Sequence, residues 1–211
     1  MKQLLIIGAR GYGREIYNLA QNCIGYGTDF IIKGFLDDKS EALDNFPGYA
    51  PILDSVEHYQ IQKDDVFICA LGDVKYKKKY SEIILAKGGE FINLIHETAS
   101  ISRNAILGNG CIVSRYVSIS CDVRIGDFVT FQVFTVIGHD ARIGNYCHLN
   151  SYSFMGGFSE IGDMVTIHTK GVILPKVIVE DNATIGASSV VVKRVKAGIT
   201  VYGNPAKKLE Y

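Results

Sequence analysis

The 211 residues carry 22 basic and 22 acidic side chains, and a formal charge of zero gives no electrostatic grip on nucleic acid or an anionic membrane. At 47% hydrophobic and 21% charged, the composition is that of a folded globular protein rather than a disordered one, with length for one large or two small domains. The opening MKQLLIIGARG has too short an apolar run for a signal peptide, and no stretch approaches a membrane span, so a cytoplasmic protein is expected.

Residues 1–95 alternate strands and helices. LLIIG (4–8) reads as a buried strand, and REIYNLAQN (14–22) as a helix with Ile16, Leu19 and Ala20 on one face. IIKGFLDD (31–38) is a second strand ending in acids, and DVFICALGD (65–73) a third. YKKKYSEIILAKGG (76–89) is a helix ending in glycines, whose basic start YKKKY reads as a solvated face. Strand–helix–strand order implies a parallel sheet flanked by helices, an α/β domain.

GARGYG follows the first strand and precedes the first helix. Gly8, Gly11 and Gly13 permit a tight turn and close backbone approach, so that the helix N-terminus can meet a phosphate. Glycine-rich strand–helix turns also serve packing alone. Asp37 and Asp38 end the second strand, where ribose or base contacts occur in such folds. Residues 1–95 have room for one mononucleotide-binding half, which favours a nucleotide sugar over a dinucleotide.

From residue 101 the period becomes six. Ile101, Leu107, Val113, Ile119, Ile125, Phe131 and every sixth residue to Val191 are apolar. Chance would produce that run on the order of once in 10⁵, so it is a repeat. Small or β-branched residues stand two positions earlier, among them Ala105, Cys111, Val129, Ala141 and Cys147. Glycine recurs one position later, at 108, 126, 138, 144, 156, 162 and 186. Each unit can be one short strand and a corner, with the aliphatic residue inside a narrow prism and glycine relieving the corner. Sixteen units, three to a coil, make about five coils of a parallel β-helix. The five cysteines, Cys23, Cys69, Cys111, Cys121 and Cys147, are odd in number and form no CxxC pair. They read as reduced thiols used as small apolar residues.

Within this repeat TVIGHDARIG (135–144) places His139 and Asp140 after a glycine. A histidine can take the proton of an attacking nucleophile and return it to a leaving group, and an adjacent acid can fix its tautomer. Periodicity by itself leaves the two equally readable as exposed turn residues.

The ordered motifs GARGYGRE (8–15), GFLDD (34–38), ALGD (70–73), LIHETASIS (94–102), IGHDARIG (137–144) and GNPAK (203–207), with the unbroken hexads, resemble the NeuD/PglD-type sugar O-/N-acyltransferases. That family belongs to the hexapeptide-repeat acetyltransferases. The resemblance implies a Rossmann-like nucleotide-sugar-binding domain over 1–95 and a left-handed β-helix acyltransferase domain over 96–211. It also implies a homotrimer with active sites between subunits, and acetyl-CoA as donor with no metal. The crossover rule alone would favour a right-handed coil.

By resemblance, His139 is the general base and Asp140 its partner. His148 lies near the acetyl group or the acceptor, and Gly156 and Gly157 bring a backbone N–H to the thioester carbonyl. Thr169, Ala187 and Lys193 follow the CoA groove; relatives often have glycine at the position of Ala187. Gln132 stands where relatives often place an asparagine facing the sugar. Tyr12, Gly72 and Asp73 join Gly8, Gly11, Gly13, Asp37 and Asp38 around the nucleotide. His168 and His58 carry no site signal, and His96 is expected to be hydrogen-bonded at the domain junction.

The leading expectation is acetyl-CoA-dependent N-acetylation of a UDP- or GDP-linked amino sugar in surface-glycan biosynthesis. O-acetylation of sialic acid or another free sugar is the alternative. A γ-type carbonic anhydrase would need three histidines on one zinc ion, but His139, His148 and His168 occupy different hexad phases. A non-catalytic nucleotide-binding scaffold would not need the intact GHD and GNPAK segments.

Overall fold

The computed structural model describes residues 1–209. The chain divides into two compact units, Met1–Glu97 and Thr98–Tyr211.

The first unit is a five-stranded parallel sheet in the order β3-β2-β1-β4-β5, with β1 Lys2–Ile7, β2 Phe30–Leu36, β3 Ile52–Asp54, β4 Asp65–Cys69 and β5 Glu90–Phe91. Its helices are α1 Gly11–Ala20 and α2 Val74–Ala86. Strand β1 lies between β2 and β4, so Leu4, Leu5 and Ile6 are wholly buried, which explains its unbroken apolar run. Strands β3 and β5 have no sequence signal because three and two residues are too short for a period. Helix α1 starts at Gly11, ahead of the apolar periodicity that marks it in the sequence. The solvated face expected for YKKKY is corrected at Lys77, which is buried with Ser81 and Ile84 on the inner side of α2.

The second unit is the expected prism. Sixteen two-residue strands run from Ser100–Ile101 to Val190–Val191, which at three to a coil makes five coils and one further strand. Each strand up to Val172–Ile173 pairs in parallel with the one eighteen residues on, as Ser118 with Val136, Arg124 with Arg142, and Thr130 with His148. The coil is left-handed. We call first face the strands ending in Ile119, Ile137, Met155 and Ile173; second face those ending in Ile125, Ile143 and Ile161; third face those ending in Phe131, Leu149 and Ile167.

The second residue of every strand from Val113 to Val191 is buried and stacks on its copies in adjacent coils. The small residues two positions earlier also point inward, Cys111, Val129, Ala141 and Cys147 among them. At Thr135 and Ser159 that slot holds a hydroxyl that donates to a corner carbonyl, Thr135 Oγ1 to Gln132 at 2.7 Å and Ser159 Oγ to Gly156 at 2.6 Å. These two inward hydroxyls are thereby satisfied without water.

The role expected of the repeat glycines is corrected. The residue that turns the corner with positive φ is the one three positions after each inward aliphatic residue, as in Tyr116, Phe134, Asp140 and Phe158 at 57–62°. The glycines just after the aliphatic residues are demanded by space instead. A Cβ on Gly126 would lie 2.6 Å from Asn145 Oδ1 and 2.9 Å from the Gly144 carbonyl carbon of the next coil. Gly126→Ala is therefore expected to destabilise the β-helix by about 1–3 kcal/mol, the usual cost of overpacking, seen as a lower thermal midpoint.

Candidate active site

In the first unit, a cleft of about 500 Å³ opens at the carboxyl ends of β1, β2 and β4. This is the edge of a parallel sheet where ligands bind. Gly8, Tyr12, Gly13, Asp37, Asp38, Gly72 and Asp73 line it together. Helix α1 begins there, and no side chain caps its N-terminus. Two of the three glycines are explained by the fold. Gly8 has a φ of +96°, and a Cβ on Gly13 would collide with the Gly8 carbonyl. Around a Cβ on Gly11 there is open space within 4 Å, so nothing in the fold requires glycine at that position.

The carboxylates have prior commitments. Asp37 is almost fully buried; Ala9 N donates to its Oδ2 at 2.8 Å and Lys39 N to its Oδ1 at 2.9 Å. It therefore holds the glycine turn to the end of β2. Asp73 caps α2, accepting from Lys75 N at 2.8 Å and Tyr76 N at 3.1 Å. Asp38 Oδ2 accepts from the Tyr80 hydroxyl at 2.7 Å, and that bond, with burial, raises the phenol pKa and keeps it protonated. Besides apolar lining residues, the sequence reading missed one cationic and two aromatic residues of this cleft: Arg10, Tyr76 and Tyr80. Arg10 is a cation beside the α1 N-terminus, and the Tyr76 and Tyr80 rings stack at 6.3 Å. The i, i+4 spacing of the tyrosines was the available signal.

In the second unit, His139 and Asp140 form the corner between the first and second faces. His139 Nδ1 lies 2.8 Å from Asp140 Oδ2, which gives the orienting pair anticipated for a base. Both side chains are substantially exposed, at 54% and 40%. One coil on, Gly157 occupies the position of His139. A Cβ there would lie 2.7 Å from His139 Nε2, so the imidazole rests against bare backbone. Among the described residues the Gly157 N–H has no backbone acceptor. Lys193 follows Val191 as His139 follows Ile137, on the same corner three coils away, and is exposed.

The remaining residues carried over by resemblance sit elsewhere. Thr169 and Ala187 stack in adjacent coils at the corner between the third and first faces, with Ser188 N donating to Thr169 O at 2.9 Å. Gln132 leads into that same corner. Its Nε2 is 3.2 Å from His148 Nε2, and Ser151 Oγ donates to its Oε1 at 3.1 Å. His148 is 2% exposed and lies in a third-face strand, so it is not a solvated strand residue. Within one chain, the His139–Gly157–Lys193 corner and the Gln132–Thr169–Ala187 corner are separated by the width of the first face. His168 and His58 are exposed, and His96 is buried in the first unit. Among the described residues no group of three or more His, Cys, Asp or Glu side chains is placed to hold a metal ion.

Four cysteines are buried, and burial pushes the Cys69 thiol up to about 11 and Cys23 to about 12. Cys121 departs from the expected packing role. It is exposed one coil before His139, and Asp140 N donates to its carbonyl at 3.0 Å. A thiol reagent should accordingly modify one of the five cysteines rapidly in the native chain, and the rest only on unfolding. Peptide mapping after brief labelling checks this, with Cys121 the expected site.

Residues 3–84 match the family described as the PglD N-terminal domain. A GDP-perosamine N-acetyltransferase of Escherichia coli O157:H7 is 32% identical over 233 aligned positions, spanning 97% of this chain and 95% of that protein. A UDP-N-acetylbacillosamine N-acetyltransferase of Bacillus subtilis (strain 168) is 28% identical over 115 residues, which span 54% of this chain and about half, 51%, of that relative's length. The acetyltransferase domain of PglB from Neisseria gonorrhoeae FA1090, solved in complex with acetyl coenzyme A, matches with a TM-score of 0.89 at 27% identity and covers 99% of each chain.

Proposed function

The chain belongs to the NeuD/PglD-type family of hexapeptide-repeat sugar acetyltransferases, and from that membership we propose that it transfers an acetyl group from acetyl-CoA to the amino group of a nucleotide-linked amino sugar. The observation that carries the reading is the His139–Asp140 pair lying against the bare backbone of Gly157. Such a product suits surface-glycan biosynthesis.

Acetyl-CoA, when bound, supplies an activated acyl carbon and a thiolate leaving group. His139 Nε2 accepts the proton lost by the attacking amine. Asp140 holds the Nδ1–H and stabilises the imidazolium that results. The Gly157 N–H offers a hydrogen bond to the negative charge developing on the acyl oxygen. His139 then returns its proton to the departing sulfur. A Cβ on Gly156 would collide with Pro175 of the next coil and one on Gly157 with the His139 imidazole, so both positions stay bare and keep the backbone close to the histidine. Lys193, on the same corner, supplies a cation for a phosphate of CoA.

The cleft of the first unit binds the nucleotide. The α1 N-terminus and Arg10 favour a diphosphate, and the Tyr76–Tyr80 pair offers an aromatic surface to a base. The test is release of CoA thiol with a panel of UDP- and GDP-linked amino sugars, their N-acetylated forms, and free sugars that offer only hydroxyl groups. Turnover confined to amino acceptors supports the reading, and turnover confined to free hydroxyl sugars overturns it.

We further propose a homotrimer, in which the first face is covered by a second copy. Support comes from its outward residues Val136 and Phe154 and from the stacked corner column Tyr116, Phe134 and Tyr152, all 38–55% exposed. Light scattering should give three chains per particle for the wild type and smaller particles for Val136→Lys. The buried use of four cysteines supports a reducing compartment such as the cytoplasm. No helix among the described residues is long and apolar enough to cross a membrane.

A further inference from the structure

Phe158 is out of pattern in its own column. The positive-φ corner residues between the first and second faces are Asp122, Asp140, Phe158 and Lys176. Three are short polar or cationic residues that reach water, as corner residues should. Phe158 places an aromatic ring at a φ of 57°, a conformation unfavourable for a bulky residue, and the residue is 51% exposed. Burial therefore does not explain it.

Aromatic residues occupy other corners for a visible reason. Tyr116, Phe134 and Tyr152 stack in a continuous column at 5.2 and 5.0 Å, and Phe128 stacks on Tyr146 at 4.9 Å. Phe158 has no such partner in its own column; among the described residues the ring it packs against is the imidazole of His139. The centroids are 5.2 Å apart and the planes lie at 89°, an edge-on contact. The backbones are locked together too, with Phe158 N donating to His139 O at 2.9 Å.

The histidine is thus confined from three directions. Asp140 engages Nδ1, Gly157 lies beneath the Nε2 side, and the Phe158 ring packs edge-on against the imidazole. An exposed His–Asp pair with water on all sides would exchange between orientations, because the two side chains gain little from one surface contact. A base must be held within a fraction of an ångström and a few tens of degrees to act. From the juxtaposition of Phe158 with the His139–Asp140 corner, we infer that Phe158 is a positioning residue that holds the imidazole with Nδ1 on Asp140 and Nε2 over Gly157.

This inference rests on the proposed role of His139, so its test has one readout that does not depend on turnover. Phe158→Ala, Phe158→Leu and Phe158→Tyr are compared with the wild type in the full chain. The two-bond proton–nitrogen NMR spectrum of the His139 ring should show a single Nδ1–H form in the wild type and in Phe158→Tyr. It should show a mixture of tautomers in Phe158→Ala. In parallel, kcat should fall about 10-fold or more in Phe158→Ala, with KM for both substrates within about twofold. Phe158→Leu should remain low and Phe158→Tyr recover, which separates the ring from simple bulk. An unchanged His139 tautomer in a folded Phe158→Ala protein overturns the inference, whatever happens to kcat. A tautomer shift in a protein that acetylates no amino sugar leaves the inference standing and overturns the proposed reaction instead.

Discussion

His139→Ala is expected to lower kcat by roughly 10²–10⁴, with acetyl-CoA and nucleotide-sugar affinities little changed and the assembly intact. The side chain is half exposed and contributes no inward packing, so its removal should not disturb the prism. What is lost is the group that takes the amine proton and returns it to sulfur. Because Gly157 beneath the ring has no side chain, truncation leaves an open space lined by backbone and the Asp140 carboxylate. Added imidazole should therefore restore part of the rate in His139→Ala, and less of it when Asp140 is also changed to Asn. Turnover of His139→Ala within a few-fold of the wild type would remove this histidine from the mechanism. An acceptor whose ammonium has an unusually low pKa would soften the loss, since its amine is already largely nucleophilic.

Gly11→Val is expected to weaken binding of UDP or GDP by about 10²-fold and to leave CoA affinity unchanged. The choice of residue follows from the cleft. Gly13 cannot test the idea, because a side chain there collides with the Gly8 carbonyl and disturbs the turn itself. Asp37 is no cleaner, because its two oxygens hold Ala9 N and Lys39 N, and Asp37→Ala should loosen the turn along with any ligand contact. At Gly11 an added Cβ meets nothing within 4 Å beyond its own chain neighbours and helix backbone, and the position is exposed, so the fold should tolerate valine. A loss of affinity would then report an approaching ligand at the α1 N-terminus. Calorimetric titration of the variant with UDP, GDP and CoA separates the outcomes. Unchanged nucleotide affinity would mean that the cleft does not anchor the acceptor, and a free sugar would become the better candidate.

Much of this molecule was legible in its residues. A six-residue period can be satisfied only by an object that turns every six residues, so the run from Ile101 to Val191 already implied the prism and its buried column. Apolar runs bounded by glycine and acids implied the parallel sheet, and the strand–glycine–helix turn implied its ligand edge. Those features depend on neighbours in sequence, through strand period, helix period and turn chemistry. The strands β3 and β5 escaped because three and two residues carry no period, and tertiary pairing alone defines them.

Side-chain commitments were not legible, because they depend on residues far apart in the chain. Asp37 reads as a free acid at a strand end, yet Ala9 draws its carboxylate into the glycine turn. Lys77 reads as one of three solvated lysines, yet the helix rotation that buries Ile84 buries it as well. The glycines of the repeat read as corner residues, whereas the left-handed corner falls two positions later and contact between coils is what excludes their side chains. Proximity in sequence was enough to pair His139 with Asp140. The coil register, which brings residue 157 onto 139 and 158 onto 140, was needed to set the imidazole against Gly157 and beside Phe158. Hydrophobic period determines which residues enter the core; the stacking of coils decides which surface residues, eighteen apart, share one corner.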